Sequence, residues 1–289
     1  MIKGWSGGIV LAVLSLCAFA LAGEGEGRKV TDEKSFTVNA SEPLTVEIEV
    51  TAGEMVLEKG TEPGVATAIL EYNEGEFRPK IDYNEKKNRL LVRLGKRNWH
   101  GMNKGEDRNW ARVTVRLPSN TDIYLDYRLK AGETTMNLGG LRLKEVGLSI
   151  WAGQLEVDFD TPNLIPMDYL EINTKVGEAQ LHNLGNARYK EAFINGGIGE
   201  LVADFSGSVE PDSKADIDLD IGEATVVLPD TAGVRMEIGG MLSFMSSKQI
   251  SGSFFKRGRY YYSDDYDEKK LKCTFHITPG LGELRVEGK

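Results

Sequence analysis

A Gly-Glu dipeptide returns along the chain at nearly constant spacing, and this repeat constrains the fold more than any other feature. It stands at Gly53, Gly132, Gly177, Gly199, Gly222 and Gly282, and Gly153-Gln154 is a variant of it. From Gly132 to Gly222 the copies follow one another at a nearly even step. An even repeat is typical of stacked supersecondary units, in which each copy covers the apolar face of the next.

Apolar and polar side chains alternate on both sides of each glycine. Leu201 and Ala203 stand two and four residues after Gly199, while Ile198 and Ile194 stand one and five residues before it, and the other copies match. Alternation with period two predicts a strand on each side of the glycine, with one face in the core. The glycine is expected to take a positive φ at a corner or bulge that a Cβ would obstruct.

The repeat predicts an all-β fold with a parallel β-solenoid of about five coils, each of roughly 22 residues. The copies are most regular over residues 123–239, where turn-rich segments such as residues 160–163 join them. We assign residues 35–118 to an N-terminal β region and residues 119–289 to the solenoid with an aromatic-rich C-terminal cap. The alternative is an antiparallel sandwich whose hairpins are evenly spaced.

The N-terminal segment has the pattern of an export signal. Residues 1–22 contain Lys3, an apolar run over residues 9–21 and small residues near the end, as in a secretory signal peptide. A lipid anchor on Cys17 is the alternative, because the residues before it partly match a lipoprotein box. Residues 23–34 are charged and glycine-rich, which indicates a flexible leader. No later apolar run is long enough to span a membrane.

Charge and cysteine content narrow the compartment and the partners. The formal net charge is −9, and removal of residues 1–22 changes it to −10, which disfavours nucleic acid and anionic lipid as partners. Cys273 is then the one remaining cysteine, and its apolar neighbours predict a small buried side chain. An exported chain without disulfides fits the bacterial periplasm, cell surface or extracellular space.

No standard catalytic or cofactor motif is apparent. The sequence lacks H-E-x-x-H, C-x-x-C and the phosphate-binding loop. His100, His182 and His276 stand far apart in polar surroundings and are predicted to be surface residues. We therefore predict a non-enzymatic protein with no catalytic, cofactor-binding or metal-binding residues and no cofactor.

The glutamates of the repeat are the most distinctive chemical feature. In a parallel stack Glu178, Glu200 and Glu223 would lie about 4.8 Å apart. Repulsion between such charges predicts splayed and solvated side chains, pairing with lysine, or weak binding of divalent cations.

Asp216, Asp218 and Asp220 superficially resemble a calcium loop. Alternation along a strand separates successive carboxylates by about 6.7 Å, however, so one ion is not expected to reach all three.

Aromatic residues gather near the C-terminus: Phe254, Phe255, Tyr260, Tyr261, Tyr262 and Tyr266. Exposed tyrosine and phenylalanine are typical of surfaces that recognise sugars or proteins. A solenoid also needs its open end covered, and aromatic side chains serve that purpose as well. Both interpretations stay open at this stage, with the cap preferred.

Several segments resemble known families. Residues 44–50 leading into Gly53-Glu54, together with residues 78–83, resemble the N-terminal region of the bacterial toast-rack family, and residues 181–187 and 197–207 look like its central repeats. Residues 113–118, and residues 262–266 ahead of residues 280–283, are similar to related adhesin and cell-envelope stress-response families. The resemblance implies an exported, all-β, non-enzymatic envelope protein and says almost nothing about activity.

Two hypotheses about function follow. The first is a structural or adhesive module of the cell envelope whose partner is an unknown protein or polysaccharide. The second is a polysaccharide-binding or polysaccharide-degrading solenoid, since stacked β-coils are able to carry carboxylates in a groove. An enzyme requires carboxylates, basic side chains and aromatic rings that converge in one cleft, and this requirement separates the two.

Overall fold

The computed structural model describes residues 28–97, 110–240 and 246–288. The predicted signal peptide, Cys17 and His100 lie outside these ranges. Within them the regular elements are β-strands and two short 3-10 turns, at Glu85–Lys87 and Leu184–Ala187, so the all-β prediction is confirmed. In the same ranges no helix has the length and apolar character needed to cross a membrane.

The strands, numbered in chain order, are β1 (Lys29–Thr37), β2 (Leu44–Lys59), β3 (Val65–Asn73), β4 (Phe77–Asn84), β5 (Arg89–Lys96), β6 (Ala111–Leu117), β7 (Ile123–Asn137), β8 (Leu143–Asp158), β9 (Met167–His182), β10 (Tyr189–Asn195), β11 (Ile198–Asp204), β12 (Ser213–Val227), β13 (Gly233–Ile238), β14 (Ser247–Ser251), β15 (Phe254–Arg257), β16 (Tyr260–Ser263) and β17 (Lys272–Glu287).

A stack of parallel strands forms the body of the molecule. β2, β7, β8 and β9 pair in that order, β10 and β11 together form the next layer, and β12 and β17 complete the stack. Each long strand has a repeat glycine near its middle, and these glycines pair in direct register from Gly53 to Gly282. The parallel pairing excludes the antiparallel sandwich.

The stack is longer than the sequence repeat suggests. We predicted about five coils, whereas the paired glycines span seven layers, because β2 and β17 join the series. The first and last layers are not evident in the sequence because long insertions precede or follow them. β3 to β6 separate β2 from β7, and β13 to β16 separate β12 from β17. β2, which we assigned to the N-terminal β region, is therefore hydrogen-bonded into the same stack.

Smaller strands cover much of both ends of the stack. At one end β5 and β6 pair with the two halves of β2, and β4, β3 and β1 follow in antiparallel pairing. At the other end β13 and β14 pair with β17, and β16 and β15 extend β13. Residues 29–34, predicted as part of a flexible leader, form the first part of β1, because pairing with β3 outweighs their charged composition.

The core lies inside the stack and is continuous from end to end. The columns two and four residues after each glycine are buried, as is the column five residues before it. Leu201 is fully buried whereas Val202 is half-buried, so the predicted phase of the alternation is confirmed on this side.

The alternation predicts that the column one residue before the glycine faces the core, and this prediction is wrong. Val176 is 50% exposed, and Ile198 and Ile221 are each 46% exposed. The strand bends around the core at the glycine, so the residues at the bend face outward and interrupt the period-two alternation.

Candidate functional site

The repeat glycines form a corner that no other residue fits. Their φ angles run from 128° at Gly53 to 144° at Gly132, which confirms the predicted positive φ. A Cβ on Gly199 would lie 1.8 Å from the carbonyl oxygen of Gly177, and the next layers show the same approach. The backbones therefore pack directly on one another at the corner, and the residues beside each glycine point to the outside.

An exposed apolar row runs along this corner. We call it the apolar ridge, and it consists of Ala152, Val176, Ile198 and Ile221, which are paired in direct register on neighbouring layers. Trp151, beside Ala152, is 71% exposed and lies at one end of the ridge. Layers about 4.8 Å apart make the ridge continuous. Contiguous apolar surface of this kind marks interaction sites on soluble proteins.

An acidic row runs along the other side of the glycines. It consists of the residues that follow each glycine, which are paired in register along the stack: Glu54, Glu133, Gln154, Glu178, Glu200, Glu223 and Glu283. We call it the acidic column. The apolar ridge and the acidic column lie side by side on the convex surface of the corner.

Neighbouring side chains reduce part of the electrostatic repulsion between the glutamates of the acidic column. Gln154 Nε2 donates to Glu178 Oε2 at 3.3 Å, and Arg285 Nη1 lies 3.7 Å from Glu223 Oε2. Glu200 stands between Glu178 and Glu223 in register. In the described ranges no group of three or more His, Cys, Asp or Glu is arranged to hold a metal ion. Weak binding of divalent cations to the column stays a prediction.

We expect Glu200→Gln to stabilise the protein by about 0.5 kcal/mol at low ionic strength, because it removes the charge between two like charges. Thermal unfolding in low and high sodium chloride measures this, and the gain should shrink in high salt. Glu133→Gln is the matched control, since Gln154 already lies on one side of it. An equal gain in both variants would contradict the effect of stacking. Calcium chloride at matched ionic strength then reveals whether the column holds that ion.

The remaining candidate residues are not brought together. His276 Nδ1 lies 3.1 Å from Asp216 Oδ1 on the outward face, and His182 pairs in register with Asp158. Both histidines are surface residues, as predicted. Lys214 Nζ also donates to Asp216 Oδ2 at 2.7 Å, so this carboxylate is engaged by side chains of the protein and not by a calcium loop.

Cys273 faces the core, and burial raises the pKa of its thiol to about 11, which makes it a poor nucleophile at neutral pH. Its Sγ lies 3.2 Å from Ser213 Oγ. The predicted role as a small buried side chain is confirmed.

The C-terminal aromatic residues divide between the two roles that we considered. Phe254 and Tyr261 pack against the core and help to close the stack. Phe255, Tyr260 and Tyr262 stand at the alternate positions of β15 and β16 and contact one another. The cap interpretation therefore applies to the first pair and a surface role to the second group.

The exposed ridge is the feature that sequence reasoning missed. The sequence did contain a signal for the ridge. The column one residue before the glycine and the column two residues after it are three positions apart, and residues an odd number of positions apart lie on opposite faces of a regular strand. Both columns are apolar in this sequence.

Comparisons with known proteins identify a family for part of the chain. Residues 24–164 match the family model described as "N-terminal domain of toast_rack, DUF2154". Among curated proteins, no sequence matches the chain. The chain is similar to the crystal structure of "a putative cell adhesion protein" from Clostridium sporogenes, with 18% identity, a TM-score of 0.48 and coverage of 91% of this chain and 100% of that chain. The chain is also similar to the crystal structure of "a putative adhesin" from Bacteroides fragilis, with 10% identity and a TM-score of 0.39. This similarity covers 90% of this chain and 97% of that chain.

Proposed function

The chain contains the N-terminal domain of the toast-rack family over residues 24–164, and from this premise we propose that it is a non-enzymatic adhesive or structural module of the bacterial envelope. We further propose that it binds a protein partner through the apolar ridge. The parallel stack supports this proposal because it presents one side chain type at a fixed spacing over a long surface.

The single observation that carries the proposal is the ridge beside the acidic column. Val176, Ile198 and Ile221 are about half exposed, although each has an aliphatic side chain that burial would stabilise. The adjacent carboxylates add a negative edge. A complementary partner surface carries aliphatic or aromatic side chains next to lysines or arginines.

The acidic groove on the same corner favours binding over catalysis. A groove of about 220 Å³ is lined by Glu133, Gln154, Glu156 and Glu178 together with Thr134, Thr135, Leu155 and Gln180. Its lining includes no lysine, arginine or aromatic side chain. A glycosidase needs carboxylates of two different roles on either side of a bound sugar. The polysaccharide-degrading alternative therefore has little to support it here.

Export belongs to the same proposal. Residues 1–22 have the charge, apolar run and small residues of a secretory signal. An exported module is placed where an envelope or surface partner is accessible. The periplasm, the cell surface and the extracellular space all satisfy this condition.

The test measures adsorption of the mature protein to surfaces of defined chemistry. We expect stronger adsorption to a mixed monolayer of methyl and ammonium groups than to one of methyl and carboxylate groups. The triple variant Val176→Ser, Ile198→Ser, Ile221→Ser should bind the first surface about 10-fold more weakly, because it removes the apolar contact. Quartz crystal microbalance or surface plasmon resonance gives the readout.

The matched control replaces three half-buried valines away from the ridge by serine: Val56, Val202 and Val227. Circular dichroism first verifies that both triple variants are folded. Equal loss in the two variants would refute the ridge as the binding surface. Release of reducing ends from any polysaccharide incubated with the wild type would refute the non-enzymatic assignment.

A further inference from the structure

A second surface of different character lies on the outward face of β13, β16 and β15. In the antiparallel pairing Tyr262 stands between Arg235 and Phe255, and in the next outward row Tyr260 stands between Glu237 and Arg257. Glu237 is paired with Arg259 at 3.3 Å. We call Arg235, Phe255, Arg257, Tyr260 and Tyr262 the cationic face. They belong to strands that lie beyond β17, so this face is separate from the apolar ridge.

The rings of the cationic face support one another. Phe255 and Tyr262 are stacked, with centroids 5.5 Å apart and an angle of 15° between the planes. Tyr260 meets Tyr262 edge-on at 6.3 Å, and Tyr266 meets Tyr262 edge-on at 5.0 Å. Contacts on both sides of Tyr262 hold the rings in a fixed arrangement at the surface.

The two guanidinium groups rest on these rings. The Arg257 guanidinium carbon lies 5.5 Å from the centroid of Phe255 and 5.6 Å from that of Tyr262, and Arg235 lies 5.2 Å from Tyr260. Such cation–π contacts position a guanidinium but use none of its N–H donors.

Neither guanidinium has an ion-pair or side-chain hydrogen-bond partner among the described residues, whereas Arg259 contacts both Glu237 and the hydroxyl of Tyr260. Arg235 Nε is buried without a hydrogen-bond partner, so a ligand is expected to meet the terminal Nη groups of Arg235 and not Nε. Arginines elsewhere pair with carboxylates, as Arg93 does with Glu49 at 2.7 Å and Arg112 with Glu54. The chain has a net charge of −9 and therefore an excess of carboxylates, yet neither of these guanidinium groups is paired with one.

We propose that the cationic face binds an acidic polysaccharide, with carboxylate groups of its sugars on Arg235 and Arg257 and sugar hydroxyls beside the tyrosine side chains. A guanidinium presents a planar fork of donors that matches a carboxylate. Guanidinium groups already lie over the rings of Phe255, Tyr260 and Tyr262, so the aromatic side chains hold the arginines in place. The tyrosine hydroxyls are polar groups that hydrogen-bond to sugar hydroxyls.

The negative net charge opposes every polyanion, so the small extent of the cationic face decides which polyanion fits it. A planar anionic membrane or a long duplex contacts a wide area and meets the acidic side chains of the stack. An acidic sugar chain has spaced carboxylates and needs only the few strands of this face. The cationic face and the apolar ridge share no residue. A negative result for polysaccharide binding therefore leaves the proposed function of the ridge untouched, and the reverse also holds.

The experiment measures binding of polygalacturonate to the mature protein by biolayer interferometry, with pullulan as the neutral polysaccharide. We expect polygalacturonate to bind and pullulan to bind at least about 10-fold more weakly, because only the first offers carboxylates to the arginines. Arg257→Gln and Arg235→Gln should each weaken binding of polygalacturonate by about 10-fold, and binding should fall as salt is raised.

Arg93→Gln is the matched control, because it removes the same charge from an exposed strand position at the other end of the stack. It should change the affinity less than twofold. Three outcomes would each overturn the proposal: no binding of polygalacturonate to the wild type, equal losses in Arg257→Gln and Arg93→Gln, or tighter binding of phosphatidylglycerol vesicles or single-stranded DNA than of polygalacturonate. Circular dichroism verifies the fold of every variant.

Discussion

Replacement of Gly199 by alanine will lower the free energy of unfolding by about 3 kcal/mol or more, the largest loss that we expect from a single added methyl group. The added Cβ would lie 1.8 Å from the carbonyl oxygen of Gly177, and Gly199 has a φ of 142°. Because the obstacle is backbone, no side chain rotation relieves the clash. Equilibrium unfolding in urea, monitored by circular dichroism, measures the change.

Two other glycines separate the clash from the backbone strain. Gly258 has a φ of 64° but open space around its Cβ position, so Gly258→Ala should cost only about 1 kcal/mol. Gly239 has open space and no positive φ, so Gly239→Ala should be close to neutral. If Gly199→Ala proved no worse than Gly258→Ala, the close approach of the layers would not be what requires glycine.

The second large effect is expected in the core. Leu201 is fully buried in the layer formed by β11, between Ala179 of β9 and Ala224 of β12 in register. Leu201→Ala should cost about 2–5 kcal/mol, because it removes apolar contacts and leaves a cavity between layers that the stack cannot close. The measurement is again the free energy of unfolding in urea.

Val202 is the matched control for Leu201, since it is the next residue of the same strand and faces outward, half-buried. Val202→Ala should cost less than about 1 kcal/mol. Similar losses in both variants would show that the two faces of β11 are equally packed, contrary to the burial that the structure shows.

Much of the stack could be predicted from the local sequence pattern. The spacing of the Gly-Glu copies, and the apolar residues two and four positions after each glycine, predicted parallel layers with a positive-φ corner. These features depend on residues close to each other in the chain, so a repeat in the sequence becomes a repeat in the structure. The buried Cys273 and the surface His182 and His276 followed from the same alternation.

The first and last layers of the stack could not be predicted in this way. The interval from Gly53 to Gly132 and the interval from Gly222 to Gly282 are each far longer than one repeat, so the constant step is lost at both ends. The pairing of β2 with β7 and of β12 with β17 brings these copies into register. β1 likewise gains its conformation from β3, although its sequence is charged.

By itself the sequence determined the all-β class, the glycine corner and the inward columns, because a period-two pattern and a residue without a Cβ restrict the local backbone. Only the tertiary structure decided which side the remaining residues face. Val176, Ile198 and Ile221 are apolar, yet the bend at the glycine turns them outward into the apolar ridge. Arg235 and Arg257 come from different strands, β13 and β15, and β16, which lies between these strands, brings both onto one face. Both candidate binding surfaces therefore arise from the geometry of the bend and the pairing of strands, which no local pattern specifies.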